Sequence, residues 1–272
     1  MMHQAVRRRL SACAAGLATM AMALGFAAVP AQAAPPPTAD YVALGDSFAA
    51  GQGAVPYTDQ NCFVSRKGYP EIADNRRDIK LTTNAGCSGH LIKDVVADAH
   101  ASVGSDTKIV TVTVGGNDLG TTEVLMVCLP APESVECGRA AATVRTKLES
   151  DSFALSLAEV VAAIRTKSPT AKVVFTGYPR LFAPGHPFAA VANPLADGLN
   201  RVISGVADAT GSDFVDVSGA FAAHGIGSAE PWINFSAAGI QDPANFHPNG
   251  EGYRHGYYAS LVGQNAFDLS LN

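Results

Sequence analysis

The stretch YVALGDSFAAGQGA, Tyr41 to Ala54, decides how the rest of the chain is read. A short apolar run, Tyr41 to Leu44, has the character of a buried strand. It stops abruptly at Gly45-Asp46-Ser47, where glycines and small residues take over. A serine at that junction has two readings. It can cap the helix that follows. It can also stand clear of the strand as a nucleophile, beside the free N–H groups of a helix N-terminus, which favour negative charge.

Working outward, the residues before this stretch have the layout of a processing segment. Arg7, Arg8 and Arg9 form a basic start, an alanine-rich apolar run follows from Leu10 to Val29, and AQA (Ala31 to Ala33) supplies the small residues a signal peptidase reads. Residues 1–33 are therefore expected to be a cleaved signal peptide, 34–40 a linker, and 41–272 one domain of a secreted protein. No second apolar span follows, so stable membrane insertion is not expected, and a monomer is. A formal charge of −5 gives no basic footprint, and no aromatic-and-basic stripe suits a nucleic acid. Neither H-E-x-x-H nor G-x-x-x-x-G-K occurs, and no metal or other cofactor is expected.

Cysteine usage fits export. Cys13 leaves with the leader, and Cys62, Cys87, Cys128 and Cys137 remain, with three pairings open. Pairing nearest neighbours, Cys62 with Cys87 and Cys128 with Cys137, is the simplest choice, because each pair flanks one loop-rich segment. The first would close a loop of about 25 residues, contributing roughly 3 kcal/mol through chain entropy. The absence of any C-x-x-C spacing argues against a zinc site.

Along the rest of the chain, β-type runs alternate with helical stretches. Strands are predicted at Tyr41–Leu44, Ile79–Thr83, Lys108–Val114, Lys172–Thr176 and Asp213–Val217, and helices at Leu91–His100, Ala140–Lys167 in one or two pieces, Pro194–Thr210 and Pro248–Phe267. KIVTVTV and KVVFTG are almost wholly β-branched or apolar, as strands covered on both faces are. The alternation implies an α/β fold, a parallel sheet of about five strands with helices on both sides, whose functional residues gather at the carboxyl ends of strands. Thr121–Cys137 and Phe182–Pro194, proline-rich and apolar without clear periodicity, read as insertions that could wall an apolar cleft.

Three strand ends carry unusual polar chemistry: Gly45-Asp46-Ser47, NAGCSGH (Asn84 to His90) and VGGNDLG (Val114 to Gly120). NFHPNGEGY follows near the C-terminus, where His247 and Pro248 open the last helix. Acyl transfer needs a hydroxyl nucleophile, a base and donors aimed at the developing oxyanion. Ser47 can supply the first and His247 the second. The N–H of Gly89 and the side-chain amide of Asn117 can supply donors.

These blocks resemble the SGNH hydrolases, the GDSL lipase and esterase family. GDS with Ser47, NAGCSG with Gly89, GGND with Asn117 and FHPNGEGY with His247 stand where that family has its named residues, and exported four-cysteine chains of this layout look most like secreted actinobacterial lipases and phospholipases. The resemblance implies a three-layer, flavodoxin-like α/β/α fold. It implies Ser47 as nucleophile, His247 as general base, and an oxyanion hole made by the N–H groups of Ser47 and Gly89 with the Asn117 side chain. Asp46 and Asp118 are expected to serve local turns.

One departure matters. The family often has aspartate three residues before the histidine, and this chain has Ala244 there. A Ser–His dyad is expected, with a carbonyl near Ala244 or Asn245 accepting the imidazole N–H; Asp242 is the candidate third member otherwise. His255 is the rival base. Phe48, Leu119, Met126, Phe182, Trp232 and Phe235 are candidates for the apolar wall. NFS at Asn234 matches a glycosylation acceptor. The function expected is a secreted serine ester hydrolase acting on an ester or lipid substrate. A carbohydrate acetylesterase and a non-catalytic binding module are the alternatives.

Overall fold

The computed structural model describes residues 38–270. The expected signal peptide and the first part of the linker lie outside the described residues. The domain begins on strand β1 (Ala39–Gly45), two residues ahead of the expected start. There follow α1 (Ser47–Ala50), a small hairpin of β2 (Tyr57–Asp59) and β3 (Val64–Ser65), α2 (Tyr69–Ala73), β4 (Ile79–Gly86) and α3 (Ile92–Ser102). The middle of the chain supplies β5 (Thr107–Thr113), α4 (Gly116–Leu119), α5 (Thr121–Cys128), α6 (Val135–Leu148) and α7 (Asp151–Lys167). The last part supplies β6 (Lys172–Thr176), α8 (Ala189–Thr210), β7 (Asp213–Val215), α9 (Ser218–Phe221), a π-helix (Gly252–Tyr258) and α10 (Ala259–Gly263).

The five long-range strands pair in the order β4-β1-β5-β6-β7, every pair parallel. The order in which strands are added reverses between β1 and β5, which makes their carboxyl ends the switch point where such sheets bind ligands. All five residues of β6 and six of seven in β5 are buried, as their continuous apolar runs require. Within the sheet the hydroxyls pair with one another: Tyr41 with Thr111 at 2.7 Å, Thr113 with Thr176 at 2.6 Å, and Tyr69 with Thr113 at 2.9 Å. Buried hydroxyls left without partners would cost stability, so this ladder lets polar side chains occupy the core.

Three expectations are corrected. Thr121–Cys137 is not an irregular insertion; α5 and the start of α6 occupy most of it. The disulfide Cys128–Cys137 closes the short turn between them, holding two helices whose apolar residues follow no long period. Helix α8 begins at Ala189, five residues before Pro194, so that proline lies inside the helix rather than at its start. Finally, the last helix is π-helical from Gly252 to Tyr258. Its wider turn carries Tyr253 and Tyr257 into full burial, with Tyr253 Oη donating to the Gln52 carbonyl at 2.8 Å and Tyr257 Oη to that of Gly177 at 3.1 Å. Single-turn π segments of this kind recur beside functional sites.

Candidate active site

The carboxyl end of β1 shows which residue caps the helix that follows. Gly45 has φ +141°, and a Cβ there would stand 2.1 Å from the Thr113 carbonyl oxygen, so only glycine lets β1 turn this tightly against β5. Asp46, not Ser47, caps α1: its Oδ1 accepts from the Phe48 N–H at 2.9 Å. Ser47 is left as the first residue of the helix with its hydroxyl free for another partner.

That partner is His247. Its Nε2 lies 2.8 Å from Ser47 Oγ, and its Nδ1 lies 2.8 Å from the Asn245 carbonyl. Because a carbonyl only accepts, Nδ1 carries the proton and Nε2 is the free base facing the hydroxyl. Burial lowers the imidazole from 6.5 to about 4, with the Asn245 and Pro243 carbonyls pulling it the other way. Asp242 is elsewhere: its Oδ1 accepts from the Ala244 N–H at 2.9 Å, closing a local turn. The Nδ1 position that a third carboxylate would need is taken by Asn245. His255 pairs at 3.3 Å with Glu251 on an exposed face.

The donors converge from two further strand ends. Gly89 follows β4 in a turn held by the disulfide Cys62–Cys87, and Cys87 N–H donates to the Gly45 carbonyl at 3.0 Å, tying this loop to the Ser47 turn. Gly89 has φ +81° with nothing within 4 Å of a notional Cβ, so backbone conformation rather than crowding calls for glycine. Among the described residues its N–H has no acceptor, and neither has that of Ser47. Asn117, on α4, donates through Nδ2 to the His90 carbonyl at 2.9 Å, leaving a second N–H of the same amide available. Asp118 was expected to serve a local turn. Instead both its oxygens accept from Ile92 N–H at 3.2 Å, across 26 residues, which braces the Gly89 loop against the Asn117 turn.

Asp46 also reaches beyond its own turn. Its Oδ2 accepts from Tyr178 Oη at 2.6 Å, and burial raises its carboxyl to about 7 against the pull of these hydrogen bonds. Sequence reading had passed over Tyr178. The available signal was its place directly beyond the carboxyl end of β6, where ligand-facing residues collect.

Above the serine lies a cleft of about 360 Å³ bordered by Ser47, Gly89, Asn117 and His247. Helix α5 lines it with Val124, Leu125 and Met126, α8 with Leu195 and Leu199, and the buried Phe188 just ahead of α8 borders it too. Both segments read as possible walls do border it, the first through α5 and the second through Phe188 and, on α8, Ala192. Of the six aromatic and apolar candidates, Phe48 and Met126 line the cleft. Leu119 and Phe182 are core residues, at 2% and 1% exposure, Trp232 stacks on His224, and Phe235 packs at a tilt against Phe246. Asn234 is no free acceptor for a glycan, since its Nδ2 donates to the Gly53 and His247 carbonyls at 3.0 Å each. Among the described residues no helix is long and apolar enough to cross a membrane.

A parallel sheet of this order, with a serine, a glycine, an asparagine and a histidine meeting over its carboxyl edge, defines a class of serine-dependent ester hydrolases. The chain belongs to the GDSL-like Lipase/Acylhydrolase family, whose profile matches residues 43–255. It is 35% identical over 266 residues to a lipase of Streptomyces rimosus, spanning 93% of this chain and 97% of that one. The crystal structure of the extracellular lipase from Streptomyces rimosus superimposes with a TM-score of 0.76 at 31% identity, over 84% of this chain and 100% of that one. Phospholipase A1 from Streptomyces albidoflavus NA297 gives 0.77 at 30% identity, over the same shares. The protein is a carboxylic ester hydrolase of the GDSL type.

Proposed function

We propose that this chain is an exported hydrolase of acyl-lipid esters that works through an acyl-enzyme on Ser47. The observation that carries this reading is the relay from the Asn245 carbonyl through His247 to Ser47 Oγ, opening into an apolar cleft. His247 Nε2 takes the hydroxyl proton as Oγ attacks the ester carbonyl, and the resulting imidazolium protonates the departing alcohol. Water, deprotonated by the same nitrogen, then releases the acid. The oxyanion is held by the N–H groups of Ser47 and Gly89 and by Asn117 Nδ2. Export is supported by the leader-like N-terminus, the two disulfides and the extracellular lipase among the relatives.

Hydrolysis of p-nitrophenyl esters from acetate to palmitate tests the substrate class. Activity that persists from butyrate upward is the expected result, because the walls of the cleft are aliphatic. A sharp preference for acetate would favour the sugar acetylesterase, and no turnover of any ester would favour a binding module.

Two consequences of the dyad can be measured. Asp242→Asn should lower kcat by less than about tenfold, because the Asn245 carbonyl already orients the imidazole. A triad carboxylate would cost up to about 10⁴. The second concerns pH. The reaction needs neutral His247, so kcat/KM is lost as pH falls through that group's pKa. With burial lowering it from 6.5 to about 4, the acid limb of the profile should lie well below pH 6.5. A limb at or above 6.5 would contradict this account of the base.

A further inference from the structure

Gln52 is buried to 4% exposure in the turn after α1, and its side chain borders the cleft beside Pro243 and His247. Its backbone is tied on both sides, N–H to the Ser47 carbonyl at 3.0 Å and carbonyl to Tyr253 Oη at 2.8 Å. Its Nε2 donates to the Pro243 carbonyl across 191 residues, while its Oε1 is buried with no partner among the described residues. Flipping the amide cannot cure this, because it would set oxygen against the Pro243 oxygen. A buried acceptor without a donor lowers stability, and an apolar side chain of similar shape would avoid that cost. Half of this amide is thus in a place that does not suit it, and the other half makes one long-range bond.

That bond lands on the turn that carries the base. Asn245 N–H donates to the Asp242 carbonyl at 3.0 Å, so Pro243 and Ala244 are the corners of the turn whose last carbonyl, that of Asn245, accepts from His247 Nδ1. The Pro243 carbonyl also bears on the imidazole itself. We propose that Gln52 is a positioning residue for His247: its amide fastens the Asp242–Asn245 turn to the nucleophile turn, fixing the distance between base and hydroxyl. Where a carboxylate would hold the imidazole by charge, a carbonyl holds it only as well as its own loop is held. The inference rests on His247 being the general base.

Gln52→Met, close in shape and without polar hydrogen, tests it in two settings. In the active enzyme on p-nitrophenyl butyrate, kcat should fall about 10- to 100-fold, the scale on which a misplaced reacting group is felt, with KM within about twofold. The thermal midpoint should hold or rise. In a Ser47→Ala background, the His247 ring should titrate nearer 6.5 by NMR than in Ser47→Ala alone, because a loosened turn admits water to the imidazole. An unchanged kcat would overturn the proposal. So would a rise in KM alone, or a fall in kcat with an unmoved titration. If Gln52→Met does not fold, Gln52→Glu serves: as an acid it donates to Pro243, so its activity relative to the unsubstituted enzyme should fall as pH rises, and a flat ratio would overturn the proposal. Full activity in Ser47→Ala itself would refute the nucleophile reading instead, separately from these results.

Discussion

Ser47→Ala should lower kcat for ester hydrolysis by about 10⁶-fold, the scale set by other nucleophilic serines, and leave thermal unfolding almost unchanged. The second half of the expectation comes from the division of labour at the start of α1. A capping serine would cost about 1 kcal/mol on removal, but here the cap is Asp46, whose Oδ1 holds the Phe48 N–H. Ser47 Oγ gives up only its hydrogen bond to His247, and the imidazole keeps its carbonyl partner. His247→Ala should be as damaging, and the double substitution little worse than either, since the two act as one unit. The decisive measurement is turnover per folded molecule. If Ser47→Ala keeps it and loses stability instead, Ser47 is a structural residue and the acyl-enzyme proposal fails.

Asn117→Ala carries the next largest effect, a fall of about 10² to 10³ in kcat with little change in KM. The amide has two N–H groups. One is spent on the His90 carbonyl, which fixes the rotamer, and the other is left for an oxygen that carries full negative charge only after attack. A donor that matters only at that stage alters kcat and not substrate binding. Steady-state kinetics on a soluble butyrate ester separates the two. A KM effect of the same size with kcat unaltered would mean that Asn117 merely grips the ground state.

Three parts of this site that the sequence made legible lie where a strand pattern ends, and the fourth, His247, lies just ahead of the last helix. Apolar runs of fixed length placed Ser47, Gly89 and Asn117 over one sheet edge, and the Ala244 in place of an aspartate announced a carbonyl acceptor before any geometry was known. What escaped was set by tertiary packing. Tyr178 and Gln52 meet Asp46 and Pro243 across 132 and 191 residues, and no local pattern records such a pairing. The π-helical turn was hidden for a related reason: Tyr253 and Tyr257 stand four residues apart, a spacing that an α-helix satisfies equally well, and the packing of Tyr257 on Tyr69 and Phe221 is tertiary. The boundaries of α5 and α8 were misread because proline and small residues mimic loop composition, while a disulfide and the cleft wall fix them as helices.

The bond between Ser47 and His247 joins residues 200 positions apart, and it has a meaning in time as well as in space. Any chain made or delivered from its N-terminus onward holds its hydroxyl and its oxyanion donors early, within the first 117 residues, but has no base to work them. The proposed base comes 130 residues after Asn117, followed at once by Tyr253 and Tyr257, which bond the Gln52 and Gly177 carbonyls. On the proposed mechanism a fragment that stops short of residue 247 has no base, and it should be inert with no inhibitor needed to keep it so.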